Sequence, residues 1–128
     1  MTPKERIYDA FGELLYLVAR ADGLIQPEEV EKLEEILKGH PKAREIKWSF
    51  DYERTRRNDP EGLYLKIIER CRENGPDPEY QFLIEMLEEV ARASAGIDRD
   101  EKGVIEGFVY DLTERFKKDI QDINELKI

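Results

Sequence analysis

Apolar residues recur at steps of three and four along nearly the whole chain, the period of a helix with one buried face. Ile7, Phe11, Leu14, Leu15 and Val18 define the first stripe. Before them, Thr2-Pro3-Lys4-Glu5 combines an N-cap threonine, a proline at the first helical position and a capping-box glutamate. The spacing predicts a helix over about 3–21, stopped at Asp22-Gly23. Pro27 opens a second, with Glu28 and Glu29 at its positive end and Val30, Leu33, Ile36 and Leu37 as its stripe. Gly39, His40 and Pro41 close it.

Over 42–58, Ile46, Phe50 and Trp48 suit a helix, while Trp48-Ser49-Phe50-Asp51-Tyr52 also alternates like a strand. No second strand is on offer to pair with it, so a helix is expected. Asp59-Pro60 opens a helix carrying Leu63, Tyr64, Ile67, Ile68 and Cys71. Asp77-Pro78 opens the next, with Phe82, Leu83, Met86, Leu87 and Val90. Asp98 caps the last, with Glu101 as its capping-box partner. Val104, Ile105, Phe108, Val109, Leu112 and Phe116 follow, and Ile120 and Ile123 are placed to extend that stripe. The expected fold is all-α, a compact bundle of about six helices in one domain of 128 residues.

The chain also aligns with itself at a shift of 72 residues, residues 8–37 falling on 80–109. Val18-Ala19-Arg20-Ala21 returns as Val90-Ala91-Arg92-Ala93. Tyr8, Glu13, Leu15, Ile25, Glu29 and Glu34 return as Tyr80, Glu85, Leu87, Ile97, Glu101 and Glu106. These are ten identities in 30 positions, where ordinary residue usage gives about two. Two helix–turn–helix hairpins are expected, over about 5–39 and 77–118, joined by a connector over 40–76.

Charge narrows the function. Asp plus Glu come to 30 against 21 Lys plus Arg, a net charge of −9. That argues against general binding to nucleic acid or anionic membranes, which needs excess cations. It suits cations or basic partner proteins. One cysteine excludes an internal disulfide framework and a cysteine-rich zinc site, and one histidine leaves little for triad chemistry. The polar start and the lack of a long apolar run point to a cytoplasmic chain without membrane insertion.

The first turn, Ala21-Asp22-Gly23-Leu24-Ile25-Gln26-Pro27-Glu28-Glu29, looks like the second half of an EF-hand loop. In that register the first and third ligand positions are Val18 and Arg20, which excludes a calcium loop. The turn resembles instead the Ala-Asp-Gly-x-Ile-x-x-x-Glu motif of the TerB-like family, which also supplies a domain of DjlA-type co-chaperones. The second copy, Ala93 to Glu101, keeps Ala93, Ile97 and Glu101 but has Ser94 where the motif has aspartate. The resemblance covers roughly 5–118. It implies a small acidic helical domain without enzymatic activity, acting in stress-response or membrane-associated complexes and suspected of binding a divalent metal. Asp22, Glu29 and Glu101 are the positions that would inherit that acidic site.

Two readings of these acids stand side by side. In one, Asp22, Glu29, Asp98 and Glu101 converge from both turns on Mg²⁺, Mn²⁺ or Ca²⁺. In the other they are caps, glutamates at the third helical position accepting free amides.

Residues 42–57 invite a similar choice. Six cations against three carboxylates give this segment +3 and leave −12 on the rest. Trp48, Phe50 and Tyr52 lie among them, so Trp48, Tyr52, Arg54 and Arg57 are candidate anchors for an acidic protein partner. The plainer reading is a connector helix whose aromatics cover the core. Cys71 reads as an inert core thiol and His40 as a solvated turn residue.

No nucleophile has a histidine base nearby and no glycine-rich phosphate loop follows a strand, so no enzyme is expected. The leading expectation is an interaction or stress-response domain modulated by a divalent cation. The alternatives are a metal-ion sensing or sequestration protein, and a homodimeric adaptor docking through 42–57.

Overall fold

The Thr2 hydroxyl accepts the Glu5 amide at 3.2 Å, and the chain turns directly into its first helix, α1, Pro3–Ala19. The computed structural model describes residues 2–21, 23–93 and 99–126, with side chains to 122. Five more helices follow: α2 Pro27–Leu37, α3 Ala43–Arg54, α4 Pro60–Asn74, α5 Glu79–Arg92 and α6 Arg99–Leu126. No strand occurs among the described residues. Prolines stand at the first turns of α1, α2 and α4, where a missing N–H costs nothing. Gly23, Gly39 and Gly75 follow α1, α2 and α4 with φ of 95°, 88° and 79°, the left-handed backbone that glycine adopts freely.

The first helix is the axis of the bundle. The sequence predicted a single apolar face, but every residue from Ala10 to Ala19 is buried, as are Ile7 and Tyr8. A helix buried all round needs neighbours all round, and α3, α4, α5 and α6 all pack against α1. Gly12 sets the closest approach. A Cβ there would lie 2.2 Å from the Ile46 carbonyl oxygen and 2.6 Å from the Ser49 Cβ on α3. Phe11, Leu14, Ile46, Phe50, Ile67 and Phe108 fill the centre.

Helix α2 packs against α5, and α6 covers α4, α1 and α5. At 28 residues, α6 runs about 42 Å at 1.5 Å per residue. Its buried stripe is Ile105, Phe108 and Leu112, with Phe116 partly covered. Ile120 does not extend it: this side chain is 55% exposed, while its neighbour Asp119 is the residue that meets Arg72 on α4. Ile123 lies outside the described side chains.

Residues paired by the 72-residue shift are buried alike at Tyr8 and Tyr80, Leu15 and Leu87, Val18 and Val90, Ala19 and Ala91, and Glu29 and Glu101. They differ at Glu13, which is buried, and Glu85, which is exposed.

Candidate functional site

The acidic turns come first. Glu29 is the third residue of α2, and its Oε1 accepts the Gln26 amide at 3.0 Å, as the capping reading requires. Glu101 is the third residue of α6. Both are almost completely buried. Asp22 and Asp98 lie outside the described residues. Among the described residues no group of three His, Cys, Asp or Glu side chains is placed to hold a metal ion.

The second candidate is the outer side of α3. Ile46, Ser49, Phe50 and Glu53 face inward and are buried. Positions two residues from Phe50 are rotated about 200° around the helix, so Trp48 and Tyr52 point out, 62% and 44% exposed. Their rings stack at 5.1 Å with 9° between planes. Phe50, counted with them in the sequence, belongs to the core. Arg54 lies 5.6 Å over the Phe50 ring and 3.7 Å from Asp51. Arg57 is exposed and makes no ion pair among the described residues.

The guanidinium on the aromatic stack is Arg56, which the sequence reading passed over. It donates to the Tyr52 hydroxyl at 2.9 Å and sits 5.1 Å from that ring. Its signal in the sequence is the four-residue step from Tyr52.

Catalytic groups are scarce. Cys71 is fully buried, and burial pushes its thiol up to about 12, far from a reactive thiolate at neutral pH. His40 is not the solvated turn residue that the sequence suggested. Its ring stacks on Phe82 at 4.8 Å and meets Tyr8 edge-on at 5.9 Å. Its Nδ1 accepts the Lys42 amide at 2.9 Å, and its Nε2 lies 3.3 Å from Glu79 Oε2. These contacts pin the α2–α3 turn onto α5. Tyr8, Glu79 and Phe82 are all more than 30 residues from His40, which is why local reading missed them.

A groove of about 970 Å³ between α1, α4 and α6 was also invisible from the sequence. Leu17, Tyr64, Leu65, Val104, Gly103 and Gly107 line it. The Tyr64 hydroxyl donates to Asp111 Oδ2 at 2.5 Å, and burial together with that carboxylate raises its pKa. No helix among the described residues is long and apolar enough to cross a membrane.

No curated protein and no solved structure matches the chain. A family model does: the one described as tellurite resistance protein TerB matches residues 9–117. That span covers the four helices from α2 to α5 whole, about two thirds of α1 and of α6, and both acidic turns. The chain therefore belongs to the TerB family.

Proposed function

We propose that this TerB-family chain works as a non-enzymatic interaction domain whose docking face is the outer side of α3. The observation that carries this reading is the exposed Trp48–Tyr52 stack. Two large aromatics held face to face in solvent are anchors of the kind that dominate binding energy when a partner covers them. Arg56 holds a positive charge on the stack through the Tyr52 hydroxyl, and Arg54 and Arg57 are exposed on either side of it in the sequence. The absence of a nucleophile–base pair in the sequence and the inert Cys71 support a non-enzymatic role.

The test is capture from native extract by the purified chain and by Trp48→Ala, with and without a chelator. The expected result is a partner held by the parent chain and lost by the variant, whose helical content is unchanged. Equal capture by both overturns the reading.

A second reading keeps a divalent cation at the acidic turns as modulator. The near-complete burial of Glu29 and Glu101 favours it, since buried carboxylates are held by hydrogen bonds, cations or metals. Against it, capping already occupies Glu29 Oε1. Calorimetry with millimolar Mg²⁺, Mn²⁺ or Ca²⁺ decides: heat that Glu29→Gln abolishes supports the cation, and no heat removes it. A homodimer built on 42–57 would show as self-association by sedimentation at two concentrations.

A further inference from the structure

Arg44, Trp48, Tyr52 and Arg56 follow one another at four-residue steps on the outer side of α3, and all four are exposed. The order is cation, two stacked aromatics, cation. Arg56 lies just past the helix end but is held in line by its bond to the Tyr52 hydroxyl. The row spans about 18 Å at helical rise.

At its Arg44 end, the close of α2 and the start of α3 enclose a shallow groove of about 250 Å³ lined by Lys38 and Arg44, together with Lys47, which is already paired with Asp51 at 2.7 Å and Glu34 at 3.5 Å. The Lys42 amide at the start of α3 is taken by His40 Nδ1 and Glu45 stands in the first turn, so the positive charge at this end of the row comes from the Lys38 and Arg44 side chains.

The geometry points to a short acidic segment of a partner protein as the occupant of this row. It would carry carboxylates at both ends, one set at Lys38 and Arg44 and the other at Arg56 and Arg57, with apolar side chains between them on Trp48 and Tyr52. An extended segment of about five or six residues covers the distance. This inference rests on the reading of α3 as the docking face and adds the chemistry of what docks.

Charge decides against the other occupants. A symmetric contact with a second copy would set Arg44, Arg54, Arg56 and Arg57 against themselves. A head-to-tail contact with a second copy's acidic faces would build a ring or an open filament, and self-association in sedimentation would overturn the acidic segment as occupant. A nucleic acid carries a charge about every 1.7 Å and would run beyond the row onto a remainder with a net charge of −12, the −9 total less this segment's +3. A short segment stays within about two Debye lengths at physiological salt, so it senses the local cations and little of the rest.

The experiment titrates the full chain with a short peptide bearing paired glutamates around a leucine–phenylalanine–leucine centre. Its lysine-for-glutamate twin and phosphatidylserine vesicles serve as the other arms. Binding of the acidic peptide that weakens with salt, and at least about tenfold with Trp48→Ala or Arg44→Glu, supports the inference. Equal binding of the lysine twin, preference for vesicles, or no binding of the acidic peptide overturns it. Should the peptide fail while Trp48→Ala still abolishes partner capture, the partner chemistry falls and the docking face stands. Should Trp48→Ala change neither, both fall.

Discussion

Arg70 on α4 reaches Glu13 on α1, its guanidinium nitrogen 2.6 Å from Oε1, while Lys66 holds Oε2 at 3.0 Å. Glu13 is buried in the middle of the axial helix. Nearby, the carboxylate of Glu53, also buried, accepts the Asn58 amide at 3.0 Å. A charge so placed is tolerated only with its partners in position. Removing the Arg70 guanidinium, with Lys66 left to compensate, is expected to destabilise the fold by about 2 kcal/mol. Chemical denaturation of Arg70→Ala measures it.

Burial raises the Glu13 carboxyl above its ordinary value, outweighing the opposing pull of Lys66 and Arg70. A carboxyl raised in the folded state holds its proton longer there than when unfolded. Its contribution is therefore fully present below the ordinary value of 4.5 and is lost as pH rises through the folded value. Comparing unfolding midpoints of the parent chain and Glu13→Gln across the acid range checks this. The parent should lose ground relative to the variant as pH rises above 4.5. A constant difference would count against it.

At Gly12 there is no room for a side chain. Ala there would push its Cβ into the Ile46 carbonyl, a backbone atom that cannot rotate away. Gly12→Ala should separate α1 from α3 and cost about 3 kcal/mol, since overpacking that moves backbone lies at the upper end of its range. The same substitution at Gly103, where a Cβ meets nothing, should stabilise slightly by helix propensity. Thermal melts of the two variants should move in opposite directions.

Trp48 offers the converse case. Its side chain is mostly in solvent, so Trp48→Ala is expected to shift stability by no more than about 0.5 kcal/mol. Phe50→Ala, two residues on and fully buried, should cost about 4 kcal/mol. Parallel denaturation curves separate a residue kept for a surface from one kept for the core.

The Cys71 thiol should resist alkylation in the native protein at mildly alkaline pH, because burial holds it protonated and covered. Mass spectrometry before and after addition of denaturant reads this out. Labelling at the same rate in both states would contradict the packing described for α4.

Much of the fold was legible in the chain itself. Proline starts, glycine stops and the three–four spacing act within one helix, so α2 begins at Pro27, α4 at Pro60, and α4 ends before Gly75 as local chemistry demands. The Gln26–Glu29 cap is local too, its two partners standing three residues apart. The aromatic row was half legible: Trp48 and Tyr52 were marked as anchors, but Phe50 was grouped with them, because nothing local says which face of α3 meets α1.

That choice belongs to tertiary packing. Gly12 admits the Ile46–Phe50 side of α3 to within van der Waals contact, and this turns Phe50 inward and Trp48 outward. Packing likewise enclosed the whole circumference of α1, buried Glu13 against Arg70 57 residues away, and drew His40 onto Phe82. The periodicity of a chain determines where its helices lie and which side chains share a stripe. Which stripe meets which depends on contacts between residues far apart in sequence, whose energies no single segment contains.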